Sequence, residues 1–220
     1  MNTAAAQKLI SIYNIPLEEQ WSEYLQNNYL NYYEYFAGLK IVPAAVNGVS
    51  ARLDLNHPGM QAYLRKNYHY FEVSSMKGRK AADAGCGWGL LSFWFLLNGA
   101  SKVYAIGFPY QIAFISRLYQ AARKRQLIPS GSELIPVAKP FEEEDDSLGN
   151  HIRNELDYVI FSDVFEQIHD SIFPFALKAA FNSLRAGGKI ISATHNTDNV
   201  LVLNRMKEYW NRLEKEYIAA

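Results

Sequence analysis

The residues best suited to chemistry lie together in KAADAGCGWGLLSFWF, from Lys80 to Phe95. Asp83 is followed by Gly85, Gly87 and Gly89 at alternate positions, with Cys86 and Trp88 between them. A short strand, an acid at its end, a glycine-rich turn and then a helix form a place where backbone can approach a ligand. Gly85 and Gly87 permit conformations that a side chain would forbid, and Gly89 lets the helix start tightly against the strand. The first-turn amides of that helix then face an anionic or polar group. A dinucleotide fingerprint requires its third glycine three positions after the second, and Leu90 stands there. Cys86 in such a turn reads as a small packed side chain rather than a nucleophile, and Trp88 as helix packing or as a wall for a ligand.

The elements that must position this turn begin at Arg79, where short β-rich runs alternate with longer helical ones. That alternation produces parallel strands joined by crossover helices. Five strands are expected, at Lys80 to Ala84, Lys102 to Gly107, Glu133 to Val137, Asp157 to Ser162 and Lys189 to Thr194. Helical segments begin near Gly89, Pro109 and Ser171, with apolar residues at helical spacing. The fifth strand follows LRAGG, in which Gly187 and Gly188 are expected to supply the positive φ angles that end a helix.

The preceding part, 1–78, differs in kind. Tyr and Phe crowd Tyr24 to Phe36 at helical spacing, and Asn47-Gly48 between apolar runs is a hairpin signal, with Pro43 confining its first strand to an edge or a start. The expected organisation is an aromatic-rich cap with a hairpin over 1–78 and an α/β domain over 79–220. Tyr13, Tyr32, Tyr33 and His57 are candidates to close over a pocket, against the plainer reading of aromatic core.

Composition narrows the partners. Lys plus Arg and Asp plus Glu number 22 each, so no global positive field draws in nucleic acid or anionic lipid. The runs ARKR, ending at Arg125, and EEEDD, from Glu142 to Asp146, read as solvated faces. Cys86 is the single cysteine and excludes an intrachain disulfide, which fits a reducing cytoplasm. The most apolar run, from Leu90, is shorter than the roughly 20 residues a bilayer requires and reads as a buried helix.

The arrangement Asp83, Gly85, Gly87, Gly89 resembles the DxGxGxG motif of class I S-adenosylmethionine-dependent methyltransferases. Two later blocks extend the resemblance: LDYVIFSDVFEQI is similar to the family's fourth strand and following loop, and SLRAGGKIISAT to its LKPGG turn and fifth strand. The resemblance covers Lys80 to His195 in the family's order. It implies a Rossmann-like, doubly wound, mostly parallel sheet with S-adenosylmethionine as cofactor. Asp83, Gly85, Cys86 and Gly87 would hold the methionine part, Gly107, Phe108 and Phe141 would line the nucleoside, and Asp163 would border the transferred methyl. No metal is implied.

Three departures qualify that pattern. The acid that receives the ribose hydroxyls at the second strand's end is replaced by Gly107. The family's last strand pair has no room after His195, so the Asn47-Gly48 hairpin or a partner subunit is expected to cover that edge. In DVFEQIHD the usual Glu-His is Glu166-Gln167, with His169 two positions on. A hydroxyl acceptor needs a base near the strand ends, and His195 and His169 are the candidates. No Asn-Pro-Pro-Tyr or Asp-Pro-Pro-Tyr sequence follows the fourth strand, and His195-Asn196 stands where a magnesium-dependent catechol-type site would want Asp-Asn. A small-molecule acceptor is therefore expected, methylated on O or N, with homo- or hetero-oligomers open. The competing expectation is a catalytically silent relative that serves as a binding or partner subunit.

Overall fold

The computed structural model describes residues 3–13, 15, 71, 73–139, 147–149, 152–165 and 168–193. Five strands, β1 (Lys80–Ala84), β2 (Lys102–Gly107), β3 (Glu133–Ala138), β4 (Leu156–Ser162) and β5 (Leu184–Ala193), form one parallel sheet in the order β3-β2-β1-β4-β5. Among the described residues four α-helices accompany them: α1 (Thr3–Tyr13), α2 (Leu90–Leu97), α3 (Pro109–Lys124) and α4 (Phe173–Ser183). The expected Rossmann-like α/β sheet is present, and β1 and β2 have the expected bounds.

Burial explains why these segments become strands and helices. In β4 every residue from Leu156 to Phe161 is buried, as in a strand covered on both faces. Neighbouring residues of β1 serve opposite faces: Ala81 joins a core with α1, α2 and α3, while Ala82 and Ala84 join one with α4. Helix α2 is apolar all round and buried from Leu91 to Leu97, as its composition requires. Full burial of Phe93, Trp94 and Phe95 contributes about 1.5–3 kcal/mol for each ring. Helix α1 packs into the same core through Ala5, Leu9, Ile12 and Tyr13.

The expectation for LRAGG needs correction. Helix α4 stops at Ser183, and Leu184 already has extended geometry, φ −76° and ψ 139°. Six residues of β5, from Leu184 to Lys189, span what three residues of β4 span, from Leu156 to Tyr158, so LRAGG forms a bulge inside the strand. Only Gly187 has a positive φ, at 78°. Gly188 is required for a different reason: a Cβ there would lie 2.8 Å from the Leu156 carbonyl oxygen. The bulge carries Arg185 back to Asp157, whose Oδ1 accepts from Arg185 Nε at 2.8 Å and from Arg79 at 2.9 Å. Burial pushes the Asp157 carboxyl up, but the Lys80 amide, Arg185 and Arg79 outweigh it and hold the group below its ordinary range. This ion cluster closes the end of the sheet opposite the glycine turn.

At the sheet's other flank β3 carries Pro136 in mid-strand. The amides of Glu133 and Lys139 donate to Ser101 and Gly107 on the β2 side. Odd-numbered residues of β3 therefore face β2, and Pro136 turns its missing N–H away from the ladder. The Asn47-Gly48 hairpin and the aromatic run from Tyr24 to Phe36 lie outside the described residues. Among the described residues no helix is long and apolar enough to cross a membrane.

Candidate functional site

Strand order reverses between β1 and β4, so the carboxyl ends of these two strands flank the crevice where open α/β sheets bind ligands. From β1 the chain enters the turn 85–89. Gly85, Gly87 and Gly89 have φ of 79°, 51° and 78°, conformations that only glycine adopts without strain. The turn is fastened to β2, because the amides of Gly85 and Cys86 both donate to the Ile106 carbonyl, at 2.9 and 2.8 Å.

Each glycine has its own reason. A Cβ on Gly85 would meet Val164 Cγ2 at 2.4 Å, so this glycine lets the chain after β4 close against the turn. Gly89 leaves room for Ile115 of α3, at 3.0 Å, rather than for the strand anticipated from sequence. Among the described residues nothing lies within 4 Å of the Cβ position of Gly87, so they leave open space beside the middle of the turn. That opening leaves room for a ligand beside the backbone of the turn.

Asp83 does not face that opening. It is 2% exposed, and its Oδ2 accepts the Ser92 hydroxyl at 2.6 Å. The Ser92 amide also donates to it, which satisfies one of the donors left over at the start of α2. Burial raises the carboxyl to about 6 despite both hydrogen bonds. Cys86 is buried as expected for a packed side chain, and burial, followed by the charge of Asp83, pushes its thiol well above the ordinary range.

Around the turn, α1 supplies a tie that sequence did not reveal. The Tyr13 hydroxyl donates to the Trp88 carbonyl at 2.8 Å, and the Tyr13 ring meets Phe93 edge-on at 5.8 Å. Trp88 packs edge-on against Phe114 of α3 at 5.0 Å, which is the helix-packing role weighed for it. At the end of β2, Gly107 is buried, and Phe108 begins α3 with its amide donating to Gln111 Oε1 at 3.1 Å.

Across the crevice Asp163 follows β4 with φ 55°, and its amide donates to Ala193 of β5 at 2.7 Å. A non-glycine residue in the left-handed region marks a place where the surroundings dictate the backbone. Asp163 thus lies at the carboxyl end of the sheet, with Val164 beside Gly85. His169 is exposed in the turn before α4, where Nδ1 lies 3.0 Å from Ser171 Oγ and accepts the Ser171 amide at 3.3 Å. His195 and Phe141 lie outside the described residues. Among the described residues no group of three or more His, Cys, Asp or Glu is placed to hold a metal ion.

No family model and no curated protein matches this sequence. Solved structures do match its fold. The PH0226 protein of Pyrococcus horikoshii superposes with a TM-score of 0.51 at 21% identity, over 70% of this chain and 66% of that one. The [4+2]-cyclase SpnF gives 0.51 at 18% identity, over 73% of this chain and 56% of that one. A putative S-adenosyl-L-methionine-dependent methyltransferase from Methanococcus maripaludis gives 0.48 at 14% identity, over 87% and 76%. For PH0226 and SpnF the match spans less than two thirds of the other protein's length. Strand order, the glycine turn at the reversal point and the superpositions on PH0226 and SpnF define a Rossmann-like α/β fold.

Proposed function

We propose that this protein binds S-adenosylmethionine in the crevice between β1 and β4 and transfers its methyl group to an O or N atom of a small molecule. The turn 85–89, with three left-handed glycines and open space beside Gly87, carries the proposal. The bound cofactor would supply a methyl group on a positively charged sulfur, ready for in-line displacement. The chain's own contribution is then chiefly positioning. Gly85, Cys86 and Gly87 present backbone to the ligand, Asp163 and Val164 border it from β4, and Tyr13 steadies Trp88. For a hydroxyl acceptor, His169 and His195 are the proposed bases, with a cytoplasmic location and a small-molecule acceptor as the setting.

Calorimetric titration with S-adenosylhomocysteine tests the binding step, since a ligand of the native state must also raise the unfolding temperature. Micromolar binding with a thermal shift supports the proposal. Neither heat nor shift at millimolar ligand refutes it. A second reading, a binding subunit without transfer activity, is favoured by the absence of a carboxylate at Gly107. A purified chain that methylates an acceptor unaided would eliminate it.

A further inference from the structure

The end of β2 is where nucleoside-binding α/β sheets place a carboxylate, about 20 residues beyond the glycine turn, to receive a ribose hydroxyl. This chain has Gly107 there, yet the space is not vacant. A Cβ on Gly107 would lie 2.7 Å from Gln111 Oε1 and 3.0 Å from Cys86 Sγ. The Gln111 carboxamide, from the first turn of α3, occupies the volume that an acid at 107 would use. It is 3% exposed and held in place because Oε1 accepts the Phe108 amide at 3.1 Å. That bond employs the oxygen and leaves Nε2 with two N–H donors.

We infer that Gln111 is the specificity-determining contact for the ribose of an adenosyl ligand, donating from Nε2 to a hydroxyl oxygen where related sheets accept from the hydroxyl with a carboxylate. The inference rests on the adenosyl reading above. It makes Gly107 the complement of Gln111 rather than a lost function, because the glycine is what admits the carboxamide. An acid introduced at 107 alone would displace Gln111 from the Phe108 amide instead of simply restoring a contact.

Calorimetric titration of the full chain with S-adenosylhomocysteine and with its 2′,3′-dideoxy analogue tests the assignment. The wild type is expected to prefer the diol by about three- to tenfold, the worth of one neutral hydrogen bond. Gln111→Ala should lose that preference and leave the dideoxy compound's affinity unchanged, a pattern that a purely structural defect would not produce. Should Gln111→Ala unfold, Gln111→Glu keeps an oxygen for the Phe108 amide and reads the same contact. It should bind the diol several-fold tighter than wild type, with the analogue unaffected. A wild type that binds both compounds equally overturns the assignment alone, as do folded variants that keep the wild-type preference. A wild type that binds neither overturns the adenosyl reading, and this assignment with it.

Discussion

Asp83→Asn isolates the consequence of placing a carboxylate inside the sheet. Burial raises the Asp83 carboxyl from 3.8 to about 6, with the Ser92 hydroxyl and amide pulling the other way. A carboxyl whose folded-state value lies above its unfolded value holds its proton more tightly in the folded protein. Its contribution to stability is therefore complete below about pH 4 and is lost as pH rises through about 6. Two units at 1.36 kcal/mol each make the difference about 3 kcal/mol. The carboxamide of Asn is uncharged at every pH and still accepts from Ser92. Equilibrium urea unfolding, followed by tryptophan fluorescence from about pH 4 to about pH 7.5, should show the two proteins converging in acid. The variant should be more stable by about 3 kcal/mol at the alkaline end. A stability gap that stays constant across the range would refute the reasoning, because the difference would then owe nothing to titration.

Two alanine substitutions should separate folding from binding. Gly85→Ala meets Val164 at 2.4 Å with φ 79° and should cost about 2–4 kcal/mol in urea unfolding. Gly87→Ala faces open space, so it should cost only about 1–2 kcal/mol while weakening S-adenosylhomocysteine at least tenfold by calorimetry. Tyr13→Phe removes the 2.8 Å bond to the Trp88 carbonyl, and about 1 kcal/mol of stability and part of the ligand affinity should go with it. The Cys86 thiol should react with a disulfide reagent near pH 8 far more slowly in the folded protein than in urea, since burial keeps it protonated. Equal rates would show that the turn opens.

Much of the scaffold could be read from the chain because local and global preferences agree there. Lys80–Ala84 runs into the glycine turn and Lys102–Gly107 stops just before Pro109, and the largely apolar run from Leu90 favours burial. LRAGG was less legible: two adjacent glycines signal a helix stop, whereas Gly188 is set by its approach to Leu156, 32 residues earlier in the chain. The site was legible as backbone and less so as side chains. The glycine spacing located the turn, but no periodicity reveals that Asp83 turns toward Ser92, that Tyr13 reaches Trp88 across 75 residues, or that Gln111 fills the space at Gly107. A Gln at the third position of a helix after Pro109 does carry a capping signal, and it becomes informative once the missing Cβ at 107 is considered beside it.

Pro136 has a consequence for how this protein behaves at high concentration. β3 borders the described sheet, and a bordering strand offers its outward amides as a template on which another chain can extend the ladder. Because Pro136 faces outward, the template lacks a donor at its centre while the inward bonds to β2 stay complete. The border is thereby guarded against runaway strand addition at no expense to the sheet, and Pro136→Val is the substitution by which that guard would be lifted and fibrous self-association invited.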